Sequence, residues 1–365
     1  MGKGLVAVRI LVVGAGAIGG LVASQLALGG HDVTLVARGR LAEQIRRDGL
    51  LLIREGQAQA VRNLTVVESL AILGEDAWRG PFDWLALTVK AFDVRQAAEE
   101  IRAAFPDPPP VVTFQNGVGS EDAAAEVLGA DHVVAATVTI PVSVPEPGHV
   151  HVRNKGGIGI APYRNARGRA TTAEAASRIA ASMRAAGFAV TEYRDYNAMK
   201  WSKLLLNMVG NAIPAIVDMP PEEELDEPGL FRLERDAFKE AMAVMKALRI
   251  KVVNLPGQPA VLLPLGMRWL PRFILQPALR NLAVSGRGGK MPSLYFDMTS
   301  GRGQSEVEYL NGAVVKAGAN TGVATPINRT ITDTLMGLVT GHLGREDFYH
   351  DPQAFLARLS QAPAT

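Results

Sequence analysis

The sequence contains no cysteine among its 365 residues. Thiol catalysis, cysteine-ligated zinc sites, iron–sulfur clusters and disulfide bonds are therefore excluded. The lack of disulfides fits a reducing compartment, and we expect a cytoplasmic protein.

A surplus of either charge is also missing. The 38 lysine and arginine residues nearly balance the 36 aspartate and glutamate residues, which leaves a formal net charge of +2. Proteins that bind nucleic-acid phosphates carry a basic surplus, so we expect no nucleic-acid partner.

Long apolar runs are absent as well. A membrane-spanning helix needs about 18–20 apolar residues, and the nearest candidate, 252–267, contains Pro256, Pro259 and Pro264. Arg9 interrupts the apolar run near the N-terminus, which we interpret as a buried strand rather than a signal peptide. The sequence thus predicts no membrane-spanning segment, and membrane contact is not expected.

What is present is the composition of a globular protein, with 48% hydrophobic and 20% charged residues. At roughly 150 residues per domain, this length predicts two or three domains. The first half alternates apolar runs with alanine-rich stretches. Strands are predicted at 8–13, 32–37, 84–88, 111–114 and 133–137, with a further strand at 150–160. Helices are predicted at 21–28, 41–48, 94–105, 121–128 and 173–186. Such alternation indicates an α/β domain, a doubly wound parallel sheet with helices on both faces.

The pattern changes near residues 190–196, where strand signals nearly vanish. Long helices are predicted at 197–208, 222–248, 302–317 and 325–343. We therefore predict two domains, an α/β domain over 1–195 and an all-α domain over 196–365.

A glycine-rich motif follows the first predicted strand directly. It reads Gly14-Ala15-Gly16-Ala17-Ile18-Gly19. In a strand–turn–helix unit, Gly14 permits the tight turn, Gly16 lets the backbone approach a pyrophosphate, and Gly19 lets the helix pack close to the strand. We predict a Rossmann-like dinucleotide site here; the alternative is an ordinary glycine-rich turn.

The residues at the end of the next strand indicate which dinucleotide the site binds. NAD-binding units place a carboxylate there to hold the ribose 2′-hydroxyl, whereas this strand is followed by Arg38 and Arg40. Because arginine pairs well with a 2′-phosphate, the sequence favours NADP (NADPH). The alternative is that both arginines are solvated loop charges.

The second domain contains polar residues on an otherwise apolar helix. Lys203, Asn207 and Asn211 are spaced i, i+4 and i+8, so they share one face if the helix continues that far. Buried polar groups need partners, and either a polar ligand or a hydrogen-bond network between helices would supply them. Further along, Glu306 lies at a predicted helix start, where it either caps the helix or orients a lysine or a substrate hydroxyl.

These motifs together resemble the ketopantoate reductase (2-dehydropantoate 2-reductase) family. Besides the glycine motif and the helix of Lys203, the resemblance rests on Thr88-Val89-Lys90-Ala91, Gln115-Asn116-Gly117-Val118-Gly119, Pro292-Ser293, Ser305-Glu306 and Asn311-Gly312, in the family's order.

The resemblance implies an NADP-dependent 2-oxo acid reductase with a Rossmann-like domain, an all-α C-terminal domain like that of 6-phosphogluconate dehydrogenase, and an active site between the two. It implies that residues 14–19, Arg38 and Lys90 bind the cofactor. Asn116 would lie near nicotinamide and substrate, Lys203 would be the general acid, and Glu306 would bridge the cofactor or substrate and the lysine. The implied substrate-binding residues are Asn116, Lys203, Asn207, Asn211 and Ser293.

Hydride delivery to a ketone leaves negative charge on oxygen, which an ammonium group stabilises and protonates. No metal is needed. The pair His149 and His151 has no evident third ligand, so a zinc dehydrogenase is not expected.

Two features depart from the family pattern. Asp218 stands where the family usually has asparagine, and an anion there would repel a substrate carboxylate or favour a substrate amine or hydroxyl. Residues 254–290 look like an insertion, rich in apolar and arginine residues. Three roles for it are open: covering the cleft, extending a subunit interface, or touching a membrane surface. We interpret 286–290 as a flexible loop.

We predict NADPH-dependent reduction of 2-dehydropantoate to pantoate, a step of pantothenate biosynthesis. One alternative is a reductase of a larger 2-oxo acid or an imine, as in opine dehydrogenases. Another is a non-catalytic NADP-sensing module. The predicted partner is a small 2-oxo acid, and a homodimer through the helical domain is a further expectation.

Overall fold

The computed structural model describes residues 7–73, 81–153, 156–164, 168–285 and 291–361. The chain forms two compact units. The first comprises Met1–Gln115, Ser120–Met199 and Leu255–Gln258, and the second comprises Asn116–Gly119, Lys200–Asn254 and Pro259–Thr365. The sequence predicts a single domain boundary, between residues 195 and 196. The two units instead divide between Met199 and Lys200, inside a continuous helix. Each unit also includes one short segment, 255–258 or 116–119, from elsewhere in the chain. A helix that crosses such a division leaves no compositional mark.

The first unit alternates strands and helices. Its strands are β1 (Arg9–Val13), β2 (Asp32–Val36), β3 (Leu50–Arg54), β4 (Gln57–Val61), β5 (Thr65–Val67), β6 (Trp84–Leu87), β7 (Val111–Thr113), β8 (Val133–Val138), β9 (Val142–Ser143), β10 (His149–Val152), β11 (Ile158–Pro162) and β12 (Val190–Glu192). Its helices are α1 (Ala17–Leu28), α2 (Gly39–Asp48), α3 (Val94–Ala104), α4 (Ser120–Leu128), α5 (Ala173–Ala185) and the first turn of α6 (Tyr196–Met208).

Eight strands form one sheet in the order β12-β11-β8-β7-β6-β1-β2-β5. The strands from β8 to β5 are parallel, whereas β11 runs antiparallel to β8 and parallel to β12. The predicted Rossmann-like α/β class is confirmed, but the sheet is mixed rather than wholly parallel. Side chains of β1 such as Ile10, Leu11 and Val12 are fully buried, as expected for a strand covered on both faces.

A second sheet was not predicted. Its order is β4-β3-β10-β9, and β3 and β4 form a hairpin whose turn contains Glu55 and Gly56, both at positive φ. The single strand predicted at 150–160 is two strands in different sheets, because β10 pairs with β3 and β11 pairs with β8.

The second unit is helical, as predicted. After α6 its helices are α7 (Ala212–Val217), α8 (Pro221–Asp226), α9 (Pro228–Ala247), α10 (Leu263–Trp269), α11 (Arg272–Ser285), α12 (Ser293–Thr299), α13 (Asn311–Thr321), α14 (Pro326–Thr340) and α15 (Pro352–Gln361). Its apolar core includes Leu204, Phe238, Leu294, Val314 and Leu335.

Two long helices predicted in this unit are wrong. The helix predicted at 222–248 is interrupted at Glu227, because Pro228 opens α9 and the Glu227 side chain caps the new helix start. The helix predicted at 302–317 is a 3₁₀ turn, Glu306–Tyr309, followed by α13, with Leu310 out of helical geometry between them.

The predicted insertion, 254–290, divides between the units. Leu255–Gln258 belongs to the first unit, while α10 and α11 belong to the second. The loop predicted at 286–290 lies outside the described residues. Within the part of the chain that the structure describes, every helix is too short or too polar to cross a bilayer.

Candidate active site

The glycine motif forms the turn from β1 into α1. Gly14 has a φ of +109°, and a Cβ there would lie 3.2 Å from the backbone of Thr88 and Val89. A Cβ on Gly19 would lie 1.8 Å from the carbonyl oxygen of Gly14. Both glycines therefore allow close packing of α1 against the ends of β1 and β6, where the strand order reverses direction.

Gly16 has a different environment. It precedes α1 with an extended backbone, and a Cβ there would meet nothing within 4 Å. The N-cap residue, Gly16, has no side chain that could cap the helix, and the first turn carries no acidic residue. The N–H groups of a helix N-terminus beside open space suit an anion such as a diphosphate, so this turn fits a dinucleotide.

Two further predicted cofactor residues lie at the same edge of the sheet. Arg38 follows β2 and Lys90 follows β6, and these strands flank β1. Thr88 donates from its hydroxyl to the carbonyl oxygens of Val13 and Gly14, at 2.9 and 2.8 Å, which fixes the end of β6 against the glycine turn.

Arg38 already has an anionic partner. Its guanidinium lies 3.0 Å from the carboxylate of Glu100 on α3, while 69% of the Arg38 side chain remains exposed. Arg40 is exposed on the first turn of α2. Arg38 is thus a solvent-accessible cation that a 2′-phosphate would share with, or take from, Glu100.

Helix α6 carries Lys203 and Asn207 one turn apart. The Asn207 side-chain amide donates to Oδ1 of Asn116 at 3.1 Å. Lys203 is half-buried. Two predicted site residues on one helix and a third, Asn116, from a distant part of the sequence therefore belong to one region of the second unit.

Asn211 does not continue the helical face. Helix α6 ends at Met208, and Gly210, at a φ of +60°, makes the turn. The buried carboxylate of Glu234 accepts a 2.9 Å hydrogen bond from Gly210 N and holds this turn. The spacing expectation of i+8 is therefore wrong for Asn211, although its amide still donates to the carbonyl oxygen of Asn207 at 3.0 Å.

Asn211 links α6 to the start of α12. Its Oδ1 accepts from Leu294 N at 3.4 Å, directly after Ser293, which is exposed. Later in α12, the buried Asp297 accepts from Glu306 N at 3.0 Å.

Glu306 opens the 3₁₀ turn that ends at Tyr309, and it is buried. The N-terminus of this turn is capped by the neighbouring Ser305, whose hydroxyl accepts a hydrogen bond from Val307 N. The carbonyl of Tyr309 accepts from Val118 N at 2.9 Å, two residues after Asn116.

These contacts close a ring within the second unit. From Asn116 the ring passes to Asn207, to Asn211, through α12 to Asp297 and Glu306, and through Tyr309 back to Val118. Four predicted site residues belong to this ring: Asn116, Asn207, Asn211 and Glu306. Ser293 directly precedes a fifth member, Leu294, and Lys203 lies one helical turn before Asn207.

The first turn of α6 is anchored separately, within the first unit. The hydroxyls of Tyr163 and Tyr196 both donate to Asp122, at 2.8 and 3.4 Å. Burial is the main cause that raises the pKa of both phenols, so both stay protonated donors.

Asp218 is not an unpaired anion. Its carboxylate pairs with Arg345, which also donates to the hydroxyl of Tyr295 at 3.2 Å. The Tyr295 hydroxyl and then Asp218 raise the pKa of Arg345. The charge of Asp218 is therefore paired within the second unit, and its effect on a substrate stays a prediction.

Asp297 and Glu234 were missed by sequence reasoning. Each is a buried carboxylate that accepts a backbone N–H from another element, 9 positions away for Asp297 and 24 for Glu234, and no local motif signals such a contact. For Gly210 a signal existed, since glycine shortly after an apolar helix is a common stop.

The Rossmann-like fold with its glycine turn is typical of proteins that bind a dinucleotide, a class that includes the oxidoreductases with a nicotinamide cofactor. The family follows from comparison. The family model described as ketopantoate reductase PanE/ApbA matches residues 10–165, and its C-terminal counterpart matches residues 195–339. The chain belongs to the ketopantoate reductase family and is an oxidoreductase acting on CH–OH groups.

Named relatives are similar over nearly their whole length. A 2-dehydropantoate 2-reductase from Archaeoglobus fulgidus is 27% identical over 333 residues, covering 91% of this chain and 98% of the relative. The enzyme of the same name from Halobacterium salinarum is 27% identical over 326 residues, covering 89% and 97%.

Solved structures share the fold. A PanE/ApbA family ketopantoate reductase from Ralstonia eutropha is 25% identical, with a TM-score of 0.73 and coverage of 91% of this chain and 99% of that one. A D-mandelate dehydrogenase solved with NADH and anilino(oxo)acetate reaches the same TM-score and coverage at 18% identity.

Proposed function

We propose that this protein uses NADPH to reduce a small 2-oxo acid to the 2-hydroxy acid, with 2-dehydropantoate as the substrate and pantoate as the product. The observation that carries the proposal is the hydrogen-bond ring, which gathers the polar residues that a 2-oxo acid needs beside the lysine that would protonate it. The named relatives, both 2-dehydropantoate 2-reductases, support the choice of substrate.

The cofactor site is the glycine turn. Gly16 leaves room for the pyrophosphate beside the N–H groups of α1, and Lys90 contributes a cation at the end of β6. When bound, NADPH supplies a hydride to the carbonyl carbon of the substrate. Arg38, whose side chain is largely exposed, binds the 2′-phosphate, and no carboxylate follows β2 to favour NADH.

Lys203 is the proton donor. As the carbonyl carbon accepts hydride, negative charge develops on the carbonyl oxygen, and an ammonium group there stabilises that charge and then donates a proton to it. The products are the 2-hydroxy acid and a neutral lysine, which regains its proton from water. The half-buried position of Lys203 suits this role, because its charge acts more strongly where water is partly excluded.

The asparagines orient the substrate. Because Oδ1 of Asn116 accepts from Asn207, the Nδ2 group of Asn116 is the part of that amide that can donate to a substrate oxygen. Asn207, Asn211 and the exposed hydroxyl of Ser293 complete the set that holds the carboxylate and hydroxyl groups.

Glu306 orients Lys203. It is buried and opens a turn that is fixed from two sides, by Asp297 at its N–H and by the contact of Tyr309 with Val118. A carboxylate held in this way would restrict the position of an ammonium group that binds to it.

A bulkier 2-oxo acid is the second candidate. Tyr295 and Phe296 come two and three residues after Ser293, their rings contact each other edge to face with centroids 5.9 Å apart, and Phe296 is exposed. Aromatic side chains beside the proposed carboxylate-binding residues would favour an apolar substituent larger than that of pantoate. Asp218, which motivated an amine or imine substrate, is paired with Arg345 and would have to be shared with such a substrate.

Steady-state kinetics test the proposal. Purified protein should oxidise NADPH with 2-dehydropantoate, and its kcat/KM for that substrate should exceed the values for 2-oxo acids with aromatic substituents. A higher kcat/KM for the aromatic acids would select the second candidate. Tight NADPH binding without turnover on any 2-oxo acid would contradict both and leave an NADP-sensing module.

A further inference from the structure

One surface of the second unit is unusually apolar. Twelve large hydrophobic side chains of the described residues are exposed, and seven of them lie between 261 and 274. They are Val261, Leu262, Leu265, Trp269, Leu270, Phe273 and Ile274. Trp269 and Phe273 are the most exposed of the twelve, at 71% and 77%. We call this set, on α10, α11 and the residues between and just before them, the 261–274 surface.

Its area matches that of a protein–protein interface. A large side chain offers about 150–250 Å² when fully exposed, so the seven together expose on the order of 800 Å², the area that each partner buries in a standard interface. Exposed apolar residues scattered over a surface are ordinary, but seven concentrated within 14 consecutive residues indicate a binding surface.

The composition also fits a protein partner. Between 254 and 285 the sequence has no lysine, aspartate or glutamate, while it has tryptophan, phenylalanine, methionine and arginine. That selection matches the core of protein interfaces, where those three charged types are depleted and aromatic residues, methionine and arginine are enriched.

The arginines of this segment are already engaged within the chain. Arg280 pairs with Asp226 at 3.1 Å, and Arg272 donates to the carbonyl oxygen of Asp226. The guanidinium of Arg268 lies 5.0 Å from the centre of the Trp269 ring. A surface built for anionic lipid would instead present unpaired cations around its apolar residues, so a membrane is disfavoured.

A groove lies along α11, whose first turn carries the exposed Phe273. It has a volume of about 430 Å³ and is lined by Phe273, Gln276, Pro277, Arg280 and Asn281, which follow one face of α11. A protruding aromatic side chain and a groove on the same short segment are the two halves of a self-complementary contact. Self-complementarity is what a two-fold interface requires, because the same patch meets itself.

We infer that the 261–274 surface is a two-fold interface between copies of this chain, with Trp269 of each copy packed into the α11 groove of the other. This goes beyond the reaction and does not depend on it. Of the three roles open for the predicted insertion, the surface supports the subunit interface.

Light scattering after size-exclusion chromatography of the full chain tests the inference. Wild-type protein at micromolar concentration should have twice the mass of one chain. The double variant Trp269→Glu, Phe273→Glu should weaken the dimer at least about 100-fold and elute as a monomer. Both side chains are exposed, so the fold should survive. Ile72→Glu, at an exposed apolar residue of the first unit, is the matched control and should stay dimeric.

Cross-linking gives a second, independent readout. Because the chain has no cysteine, the double variant Trp269→Cys, Pro277→Cys carries the only thiols, and mild oxidation should link two copies, whereas Ile72→Cys should not cross-link. A monomeric wild-type protein, a dimer that survives the double glutamate substitution, or a monomer that binds anionic vesicles through Trp269 would each overturn the inference. Open-ended higher oligomers would also overturn it, since a two-fold contact closes.

Discussion

The side-chain amide of Asn207 donates a 3.1 Å hydrogen bond to the amide oxygen of Asn116, 91 positions earlier in the sequence. This contact joins the segment after β7 to helix α6 and belongs to a ring that also includes Asn211, Asp297 and Glu306. Because each member fixes the next, a change at one should alter the others, and the ring can be tested pair by pair.

A double-mutant cycle on Asn116→Ala and Asn207→Ala measures that contact directly. We expect a coupling free energy of about 0.5–1.5 kcal/mol in urea unfolding, since one neutral hydrogen bond is lost in either single variant. A cycle between Asn207→Ala and Asn328→Ala is the control, because Asn328 is bonded to Asn311 and to Glu240 instead. Equal coupling in both cycles would contradict the contact.

The glycine turn offers a contrast between packing and binding. Gly19→Ala forces a Cβ against the Gly14 carbonyl and should destabilise the fold by about 3 kcal/mol. Gly16→Ala meets open space at a backbone geometry that alanine adopts, so unfolding should change by less than about 1 kcal/mol. It should nevertheless raise the Kd for NADPH at least about tenfold, because the methyl group occupies the path of the pyrophosphate. Unchanged NADPH binding in Gly16→Ala would argue against this site.

Arg38 and Glu100 should have opposite effects on cofactor choice. Arg38→Ala should raise the KM for NADPH by about 10- to 100-fold, the worth of a charged hydrogen bond, and leave the KM for NADH unchanged. Glu100→Gln frees Arg38 and should lower the KM for NADPH by up to about fivefold, since an exposed ion pair is worth about 0–1 kcal/mol. Arg47→Ala, in the last turn of α2, is the control. An equal rise in KM for NADPH and NADH in Arg38→Ala would show that Arg38 does not bind the 2′-phosphate.

Glu240 should make stability depend on pH. Burial raises the pKa of Glu240 above its ordinary 4.5, although its carboxylate accepts N–H groups of Ile327 and Asn328. The folded state therefore binds this proton more tightly than the unfolded state does, and the stabilisation is complete below pH 4.5 and lost as pH rises through the folded pKa. The free energy of unfolding of wild type relative to Glu240→Gln should fall over that window. A relative rise would contradict the assignment.

Local signals made the first unit predictable. The strand before Gly14, the motif itself and the alternation of strands with helices each depend on a few consecutive residues. The β3–β4 hairpin was not predicted, because four of the five residues of β4 are exposed and the strand therefore lacks alternating apolar residues. Pro228 was a readable break in the predicted helix at 222–248, since proline at a helix start is common.

The sequence proposed residues for the candidate site but not the contacts among them. Lys203 and Asn207 follow from helical spacing. By contrast, the end of α6 at Met208 depends on Gly210 and on Glu234, which comes 24 positions later, and the pairing of Asp218 with Arg345 spans 127 positions. Contacts of this range depend on packing, which spacing does not encode.

Lys203→Ala tests the proposed reaction most directly. In a single-turnover reaction with bound NADPH and 2-dehydropantoate, we expect hydride transfer to slow by about 10²–10⁴-fold, the usual contribution of a general acid, with the Kd for NADPH unchanged. Lys239→Ala, which removes an exposed lysine paired with Asp236, should react at the wild-type rate. A Lys203→Ala variant that reduces the substrate as fast as wild type would contradict the proposed proton donor.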